Sequence, residues 1–198
     1  MGIKPQILAR FVWSTDGLWP GPVDRDDERL RSHLLHVEMR RTKREPLPLN
    51  EIQSMTMSGV QMQIDARITT HKEVVDLLMV GAERACIDLF SNDSEIKDCH
   101  ELTEHVAISI RLPDEFSLTY MTDKLNPRLR EVTAFGPELV VVSSSRAGDI
   151  GFFFDKIPED IRRSYLWMLA PYEGSEIPLR RSDGLAGWVL DGERMIGV

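Results

Sequence analysis

The residues of this 198-residue chain best suited to chemistry are charged or hydroxylated side chains that directly follow short apolar runs. A carboxylate can transfer protons or bind an oxygen-preferring metal ion, and a guanidinium group can bind an anion. If these runs are strands of one sheet, the side chains meet at its carboxyl edge, where barrel enzymes carry their active sites. The set comprises Glu38, Arg40, Asp65, Arg67, Asp88, Arg111, Ser144 and Arg146.

Two interpretations of this charged set remain open. In the first, the acids and arginines pair with each other and close the top of the fold. In the second, they form a site for a small charged ligand, with Glu38, Asp65, Asp88 and Arg111 as candidates for catalysis and with Arg67, Ser144 and Arg146 as candidates for ligand binding. A divalent metal held by the three acids is a variant of the second interpretation. The sequence favours the paired network and predicts neither a metal nor a cofactor.

Eight short apolar runs supply the strands needed to position these residues. Most are apolar on both faces, as expected for parallel strands covered by helices. The runs are QILARFVW, HLLHVEM, VQMQI, ACIDLF, VAISI, ELVVVSS, YLWMLA and GWVL.

Segments with helical periodicity separate several of the runs. The clearest is HKEVVDLLMVGAE, in which Val74, Leu77, Leu78 and Val80 form an apolar stripe and Gly81 supplies the stop. The other predicted helices are DRDDERLRSH, PLNEIQSMTMSG, DSEIKDCHELTEH, NPRLREVTAFG and PEDIRRS.

Strands alternating with helices predict an α/β fold, a compact (β/α)8 TIM barrel, with an open doubly wound sheet as the competing arrangement. Barrels typically need about 250 residues, so some outer helices must be shortened or missing, above all in PYEGSEIPLRRSDG before the last run. No linker composition divides the chain, and we expect residues 1–198 to form one domain.

Part of the chain resembles a known barrel family. The stretch HLLHVEMRRTKREPLPLNEIQSM, followed by MQIDARITTHKEVVDLLMVGAERACIDLF, is similar to the second to fourth strands of the ProFAR isomerase family of histidine biosynthesis, HisA and its relatives. Shorter similarities are STDGL near the first strand and SRAGDIG after the sixth. The resemblance implies an isomerase-type barrel with its site at the carboxyl ends of the strands.

The same resemblance implies that the family's reaction is lost. The two aspartates that the family uses as acid and base fall at Trp13 and Arg111, with Asp114 a poorer substitute, and neither tryptophan nor arginine can shuttle a proton. We therefore expect no ProFAR isomerase activity.

The family's phosphate-binding glycines are also partly replaced. Their positions hold Asp65, Ala66 and Arg67 after the third strand and Asp88 after the fourth, and a carboxylate repels phosphate. Glycines remain after the seventh and eighth strands, and we add Gly174 and Gly192 to the ligand-binding candidates.

Bulk composition excludes several classes of partner. The formal net charge is −8, which disfavours nucleic acid and anionic membrane surfaces. No apolar stretch is long enough to span a bilayer, and the first ten residues lack the apolar region of a signal peptide, so we expect a cytoplasmic protein. The two cysteines, Cys86 and Cys99, lack zinc-site spacing and are predicted to be core thiols.

Three further features are ambiguous. RRTKRE, residues 40–45, is a solvated loop or a grip for an anion or acidic partner. The histidines show no metal-binding spacing. GFFFDKIP is predicted to be a loop whose three phenylalanines cannot all face one core, so we expect at least one to be exposed, as part of a contact surface, or to cap a site as a lid.

Two classes of function follow. The first is a non-catalytic or repurposed HisA-like barrel that acts as a protein-interaction or regulatory subunit. Its partner is a second copy or another protein, because a missing last helix leaves apolar strand faces uncovered. The alternative is an isomerase- or lyase-type enzyme that acts on a small charged metabolite at the mouth of the barrel.

Overall fold

A computed structural model describes residues 6–19, 23–42, 45–171 and 185–192 of the chain. The strands are β1 (Gln6–Ser14), β2 (Gly17–Trp19), β3 (Leu34–Met39), β4 (Gln61–Ile68), β5 (Arg84–Asp88), β6 (Val106–Arg111), β7 (Leu139–Ser144), β8 (Leu166–Pro171) and β9 (Leu185–Asp191). The helices are α1 (Leu49–Met57), α2 (His71–Met79), α3 (Asp93–Leu102), α4 (Leu118–Tyr120), α5 (Asn126–Thr133), α6 (Ala147–Lys156) and α7 (Glu159–Ser164). A 3-10 turn covers Glu28–Ser32, and a π turn at Met121–Leu125 joins α4 to α5.

The strands form one curled sheet. Every strand from β3 to β9 pairs in parallel with the strand before it in the sheet, and β2 folds back antiparallel on β1 as a hairpin. The first strand also pairs with the last, from Gln6 opposite Gly187 to Arg10 opposite Asp191. The chain is therefore an α/β protein with a curled parallel sheet of the TIM-barrel type, which confirms the predicted fold class at that level.

Each of the eight apolar runs forms a parallel strand, but three local expectations differ from the structure. The hairpin strand β2 is too short to stand out as an apolar run. The segment DRDDERLRSH forms only a 3-10 turn, with Leu30 as its buried residue. GFFFDKIP lies largely in α6 and is not a loop, because Ile150 and Phe153 are spaced to bury one helical face. The region predicted to lack a full helix, residues 172–184, lies outside the described residues.

Two apolar layers fill the structure. One lies between the sheet and its helices, where strand residues such as Val37 and Ile64 pack with Ile52 and Leu77. The other is built entirely from strand residues, among them Leu8, Cys86, Ala107, Val141, Met168 and Ala186. This second cluster is the interior of the curled sheet.

Both cysteines are buried and form no disulfide, as predicted for core thiols. Burial raises the pKa of Cys99 to about 12 and that of Cys86 well above its ordinary value. Of the three phenylalanines in α6, Phe153 is fully buried and Phe152 is exposed, so the expectation of an exposed ring is confirmed. Within the described ranges, the helices are too short or too polar to cross a bilayer.

The turn that ends α2 requires glycine. Gly81 has φ +95°, a region that side-chain-bearing residues rarely adopt, and a Cβ there would lie 2.8 Å from Oγ1 of Thr56. That hydroxyl donates to the carbonyl of Val80 at 2.6 Å, so it is not free to move away. The turn directs the chain into β5, which carries Asp88.

We expect Gly81→Ala to lower the free energy of unfolding by more than about 1 kcal/mol, because alanine adds both a left-handed strain and a contact with Thr56. Gly151→Ala is the matched control. A Cβ at Gly151 meets nothing within 4 Å inside helix α6, so this change should stabilise the protein by about 0.5 to 1 kcal/mol. Urea denaturation of both variants measures the difference, and equal effects would contradict this account of the turn.

Candidate functional site

Polar side chains of β3 and β4 point into the interior of the curled sheet. Successive strand residues point to opposite faces, so in β3 the outer layer receives Leu35 and Val37 while His36 and Glu38 face inward. In β4 the same alternation turns Gln63 and Asp65 inward. These inward side chains are buried, which obliges them to find partners.

Glu38 lies in a buried ion pair with Arg10 of β1. Nε and Nη2 of Arg10 donate to the two carboxylate oxygens at 2.9 and 3.1 Å, a bidentate geometry. Nε2 of His36 lies 3.7 Å from the same carboxylate. Burial on its own would raise the pKa of Glu38, but the interactions with His36 and with the bidentate Arg10 outweigh it and hold the pKa well below its usual range.

A chain of hydrogen bonds continues from His36 toward the amino ends of the strands. Nδ1 of His36 lies 2.9 Å from Nε2 of Gln63, and Nη1 of Arg84 donates to Oε1 of Gln63 at 2.7 Å. The polar half of the interior is thus continuous from Glu38 down to β5.

Asp65 forms a second buried pair that bridges β4 and β6. Its carboxylate accepts from Oγ of Ser109 at 2.7 Å and lies 3.0 Å from Nη2 of Arg111. The same Nη2 donates to the Asp65 carbonyl at 3.2 Å. The prediction that Asp65 pairs with a mouth arginine is confirmed for Arg111.

A cleft of about 530 Å³ opens above these pairs, at the carboxyl ends of β3, β4, β6 and β7. The mouth is therefore open at this place and not closed by ion pairs alone. The cleft is lined by Glu38, Arg40, Arg67, Arg111, Leu112, Pro113, Asp114, Ser143, Ser144 and Ser145.

Two lining residues, Arg40 and Arg67, are exposed guanidiniums. Among the side chains that the structure describes, no carboxylate lies within salt-bridge distance of either. They differ in this from Arg10 and Arg111, whose charges are met by Glu38 and Asp65. The mouth thus presents two positive charges that the described carboxylates do not neutralise.

The serines and the remaining charges form the β7 side of the cleft. Oγ of Ser145 donates to Asp114 at 2.8 Å, and Oγ of Ser144 accepts from the amide of Arg146 at 3.0 Å. Arg146 itself turns toward Asp149, 3.8 Å away, and does not line the cleft. Of the candidates on this side, Ser144 is at the cleft and Arg146 is beside it.

Asp88 is not among the cleft-lining residues. It is half-buried at the end of β5, where a carboxylate oxygen accepts from the amide of Phe90 at 2.8 Å. Burial and the charge of Asp88 raise the pKa of Tyr120, which places this acid beside the α4 segment. A pairing of Asp88 with an arginine stays a prediction.

The two candidate glycines have different outcomes. Gly174 lies outside the described residues. Gly192 follows β9, where a Cβ would lie 2.3 Å from Cζ of Phe11 and 2.7 Å from the carbonyl of Arg10. Packing against β1 therefore accounts for glycine at this position without a ligand.

A metal at the three acids has no support from the geometry. Glu38 and Asp65 are each engaged with a guanidinium, and Asp88 stands apart from the cleft. Within the described parts of the chain, no three His, Cys, Asp or Glu side chains are grouped so as to hold a metal ion.

Sequence reasoning missed the residues beneath the mouth. These are Arg10, His36, Gln63, Ser109 and Ser143. A signal for some of them was present, because polar and apolar residues alternate in HVEM and in QMQIDAR with period two. Treating those runs as apolar on both faces concealed it.

Comparison with known proteins supports the fold and no more. The chain matches no protein-family model and no curated protein sequence. Among solved structures it is similar to the crystal structure of orotidine 5'-phosphate decarboxylase from Pyrococcus horikoshii OT3, with a TM-score of 0.57 and 12% identity over 85% of this chain and 86% of that chain.

The resemblance to the ProFAR isomerase family is wrong. The structural neighbour belongs to a distinct TIM-barrel family. The residues on which the resemblance rested form a strand, a turn and a helix, and this pattern is shared by β/α repeats in general. At the positions that align with that family's phosphate-binding glycines, Asp65 is paired with Arg111, and Arg67 lies in a bulge of β4.

The Arg10–Glu38 pair gives a prediction about stability. Glu38→Gln leaves the Arg10 charge buried without its counter-ion and should lower the free energy of unfolding at pH 7 by roughly 3 to 5 kcal/mol. Glu101→Gln is the control, because the Lys97–Glu101 pair on α3 is exposed and contributes at most about 0.5 kcal/mol. Urea denaturation at pH 7 measures both.

The same variants predict a pH dependence. Since the folded pKa of Glu38 is below its ordinary value of 4.5, its stabilising effect is present above pH 4.5 and is lost as pH falls through the lower folded pKa. The stability gap between wild type and Glu38→Gln should therefore narrow at strongly acidic pH. A gap that stays constant from pH 7 to pH 2 would show that the carboxylate charge is not what stabilises the fold.

Proposed function

We propose that this protein binds a small anionic metabolite at the carboxyl mouth of its sheet. The observation that carries the proposal is the pair of exposed guanidiniums, Arg40 and Arg67, that line an open cleft without a described carboxylate partner. An anion of the size of a metabolite fits a cleft of about 530 Å³.

The chemistry of the lining residues suits an oxyanion. A guanidinium presents a planar fork of donors that matches carboxylate and phosphate oxygens. The hydroxyls of Ser143 and Ser144 lie at the same cleft. Arg111 is held in place by Asp65, so part of the site is organised before a ligand arrives.

The acids beneath the cleft support binding more than proton transfer. Glu38 has a lowered pKa and is a weak base at neutral pH. Its charge is met by Arg10, so it opposes an incoming anion less than an isolated carboxylate would. We therefore assign the acids the role of holding the arginines in place, and we do not assign them proton transfer.

The structural neighbour adds little to the choice of ligand. Its name refers to a substrate that carries a phosphate, but at 12% identity the likeness concerns the fold. The proposal therefore rests on the arginines of this chain.

For the architecture we propose a closed (β/α)8 barrel, with β2 as an added hairpin. Support comes from the pairing of β1 with β9 and from the cluster of strand residues that fills the interior. Shortened outer elements, such as the α7 helix of residues Glu159–Ser164, agree with a compact barrel.

A second candidate function is contact with another protein or a second copy. It is favoured by exposed large apolar side chains near the carboxyl end of the sheet, namely Phe90, Leu118 and Phe152. Light scattering across a range of protein concentrations tests self-association. A monomer at every concentration leaves the anion site as the proposal to pursue.

The anion proposal predicts that wild type binds inorganic phosphate, sulfate or acetate in isothermal titration calorimetry. The double variant Arg40→Ala/Arg67→Ala should bind at least about 100-fold more weakly, because two charge-assisted contacts are lost. Arg130→Ala removes an arginine that pairs with Asp160 on the outer helices, and it should leave binding unchanged. Absence of binding by wild type to all three anions would overturn the proposed function.

The closed barrel predicts that Gly192→Ala destabilises the protein by roughly 1 to 3 kcal/mol, because its methyl group would overlap Phe11 of β1. Gly148→Ala serves as the comparison, since a Cβ there meets nothing within 4 Å. Urea midpoints at pH 7 give the two values. A neutral Gly192→Ala would show that β9 does not close against β1 in this way.

A further inference from the structure

Arg67 has a backbone conformation that arginine does not adopt without compensation. Its φ is +53°, in the left-handed region, and among the residues that the structure describes it is the one non-glycine with positive φ. That conformation costs a side-chain-bearing residue free energy, which the surrounding structure must offset. Such residues concentrate at functional sites.

A bulge in β4 produces this conformation. Ile64 pairs with Ala85 and Ile68 pairs with Ile87, so residues 65–67 bulge opposite Cys86. Ala66 and Ile68 are both buried in the outer apolar layer, while Arg67 between them is exposed at the cleft. The bulge is what directs Arg67 to the mouth.

One side of the bulge is held by Arg41. Its Nε donates to the carbonyl of Ala66 at 2.8 Å, and its Nη2 is paired with Glu73. Glu73 is itself fixed at the start of α2, where Oγ1 of Thr70 donates to it at 3.1 Å. Arg41 is buried and so is anchored between the strand and the helix.

The other side is held by Arg111, whose Nη2 donates to the Asp65 carbonyl at 3.2 Å and pairs with the Asp65 carboxylate. The peptide groups just before Arg67 are therefore fixed from two directions. These contacts offset the backbone strain at Arg67, and the strained conformation places its exposed guanidinium at the cleft. The Arg67 side chain itself gains no burial from this conformation, because it is exposed.

We propose that Arg67 is the specificity-determining residue of the mouth, that it selects a phosphate monoester group, and that Arg41 is its positioning residue. This inference rests on the proposed anion-binding function. The phosphate class is inferred from charge: Arg40 and Arg67 present two positive charges, and a phosphate monoester carries nearly two negative charges at neutral pH, whereas one carboxylate carries one. The lining carboxylate outside the ion pairs, Asp114, accepts a hydrogen bond from Ser145. Tetrahedral oxygens also suit the several donors around the cleft, including Arg111 and Ser143.

The first test is the affinity of wild type for glycerol 3-phosphate, sulfate and acetate by titration calorimetry between pH 5 and pH 7.5. Affinity for glycerol 3-phosphate should rise by about 10-fold through pH 6, where the phosphate loses its second proton. Sulfate keeps its two charges throughout and should show no such rise. This control separates titration of the ligand from changes in the protein itself, whose histidine beneath the cleft, His36, lies beside Glu38 and Gln63.

Arg67→Ala should weaken glycerol 3-phosphate binding by roughly 10- to 100-fold and flatten its pH dependence. If wild type binds none of the probes, the proposed function fails. If wild type binds them and Arg67→Ala binds equally well, the assignment of Arg67 fails alone. Acetate bound as tightly as glycerol 3-phosphate would overturn the phosphate class.

The role of Arg41 is tested by a double-mutant cycle. Arg41→Met should weaken phosphate binding several-fold in wild type but should have no further effect in Arg67→Ala, because it acts through the position of Arg67. Glu73→Gln is the second variant, in case Arg41→Met does not fold. Equal losses of binding in both backgrounds would contradict a positioning role.

The strain itself is tested by comparing glycine with alanine at two mouth arginines. The Arg67→Gly variant should have a melting temperature about 2 to 4 °C above that of Arg67→Ala, because glycine tolerates positive φ. At position 40, where φ is not positive, the order should be reversed. The same order at both positions would overturn the account of a strained Arg67.

Discussion

A charge buried inside the sheet is tolerated only where an opposite charge and hydrogen bonds meet it, and this constraint governs the arrangement of the whole mouth. The Arg10–Glu38 pair joins neighbouring strands, and the Asp65–Arg111 pair reaches from β4 to β6 across β5. At that point β5 contributes Cys86, whose side chain is small. Because the buried charges are paired beneath the cleft, the remaining arginines of the mouth can face the solvent.

The interior is divided into a polar half and an apolar half as a result. Side chains from β1 and β3 to β6 supply the hydrogen-bonded network, and β7 to β9 supply much of the apolar filling. In the polar half, Gln63 is held by contacts to both His36 and Arg84. Packing alone fixes the other half.

The strands could be predicted from the sequence because apolar runs report burial directly, and all eight runs appear as parallel strands. The helix at Ala147–Lys156 was missed because its three phenylalanines obscured the spacing of Ile150 and Phe153. At the site, the sequence predicts that Asp65 pairs with a mouth arginine, with Arg67, Arg111 and Arg146 as alternatives, and the structure selects Arg111. The bulge at Arg67 was not predictable, because arginine has no local preference for positive φ and only tertiary contacts impose it. The family was misassigned because β/α repeats share their pattern.

The burial of both cysteines has a practical consequence. Cys86 is completely buried and its pKa is raised well above the ordinary value, and burial likewise raises that of Cys99, so neither thiol is a good nucleophile near neutral pH. We therefore expect the native protein to react slowly with maleimide and iodoacetamide reagents. A single cysteine introduced at an exposed lining position such as Ser145 would carry a fluorophore or spin label selectively, and the cleft could be observed directly without first removing any native residue.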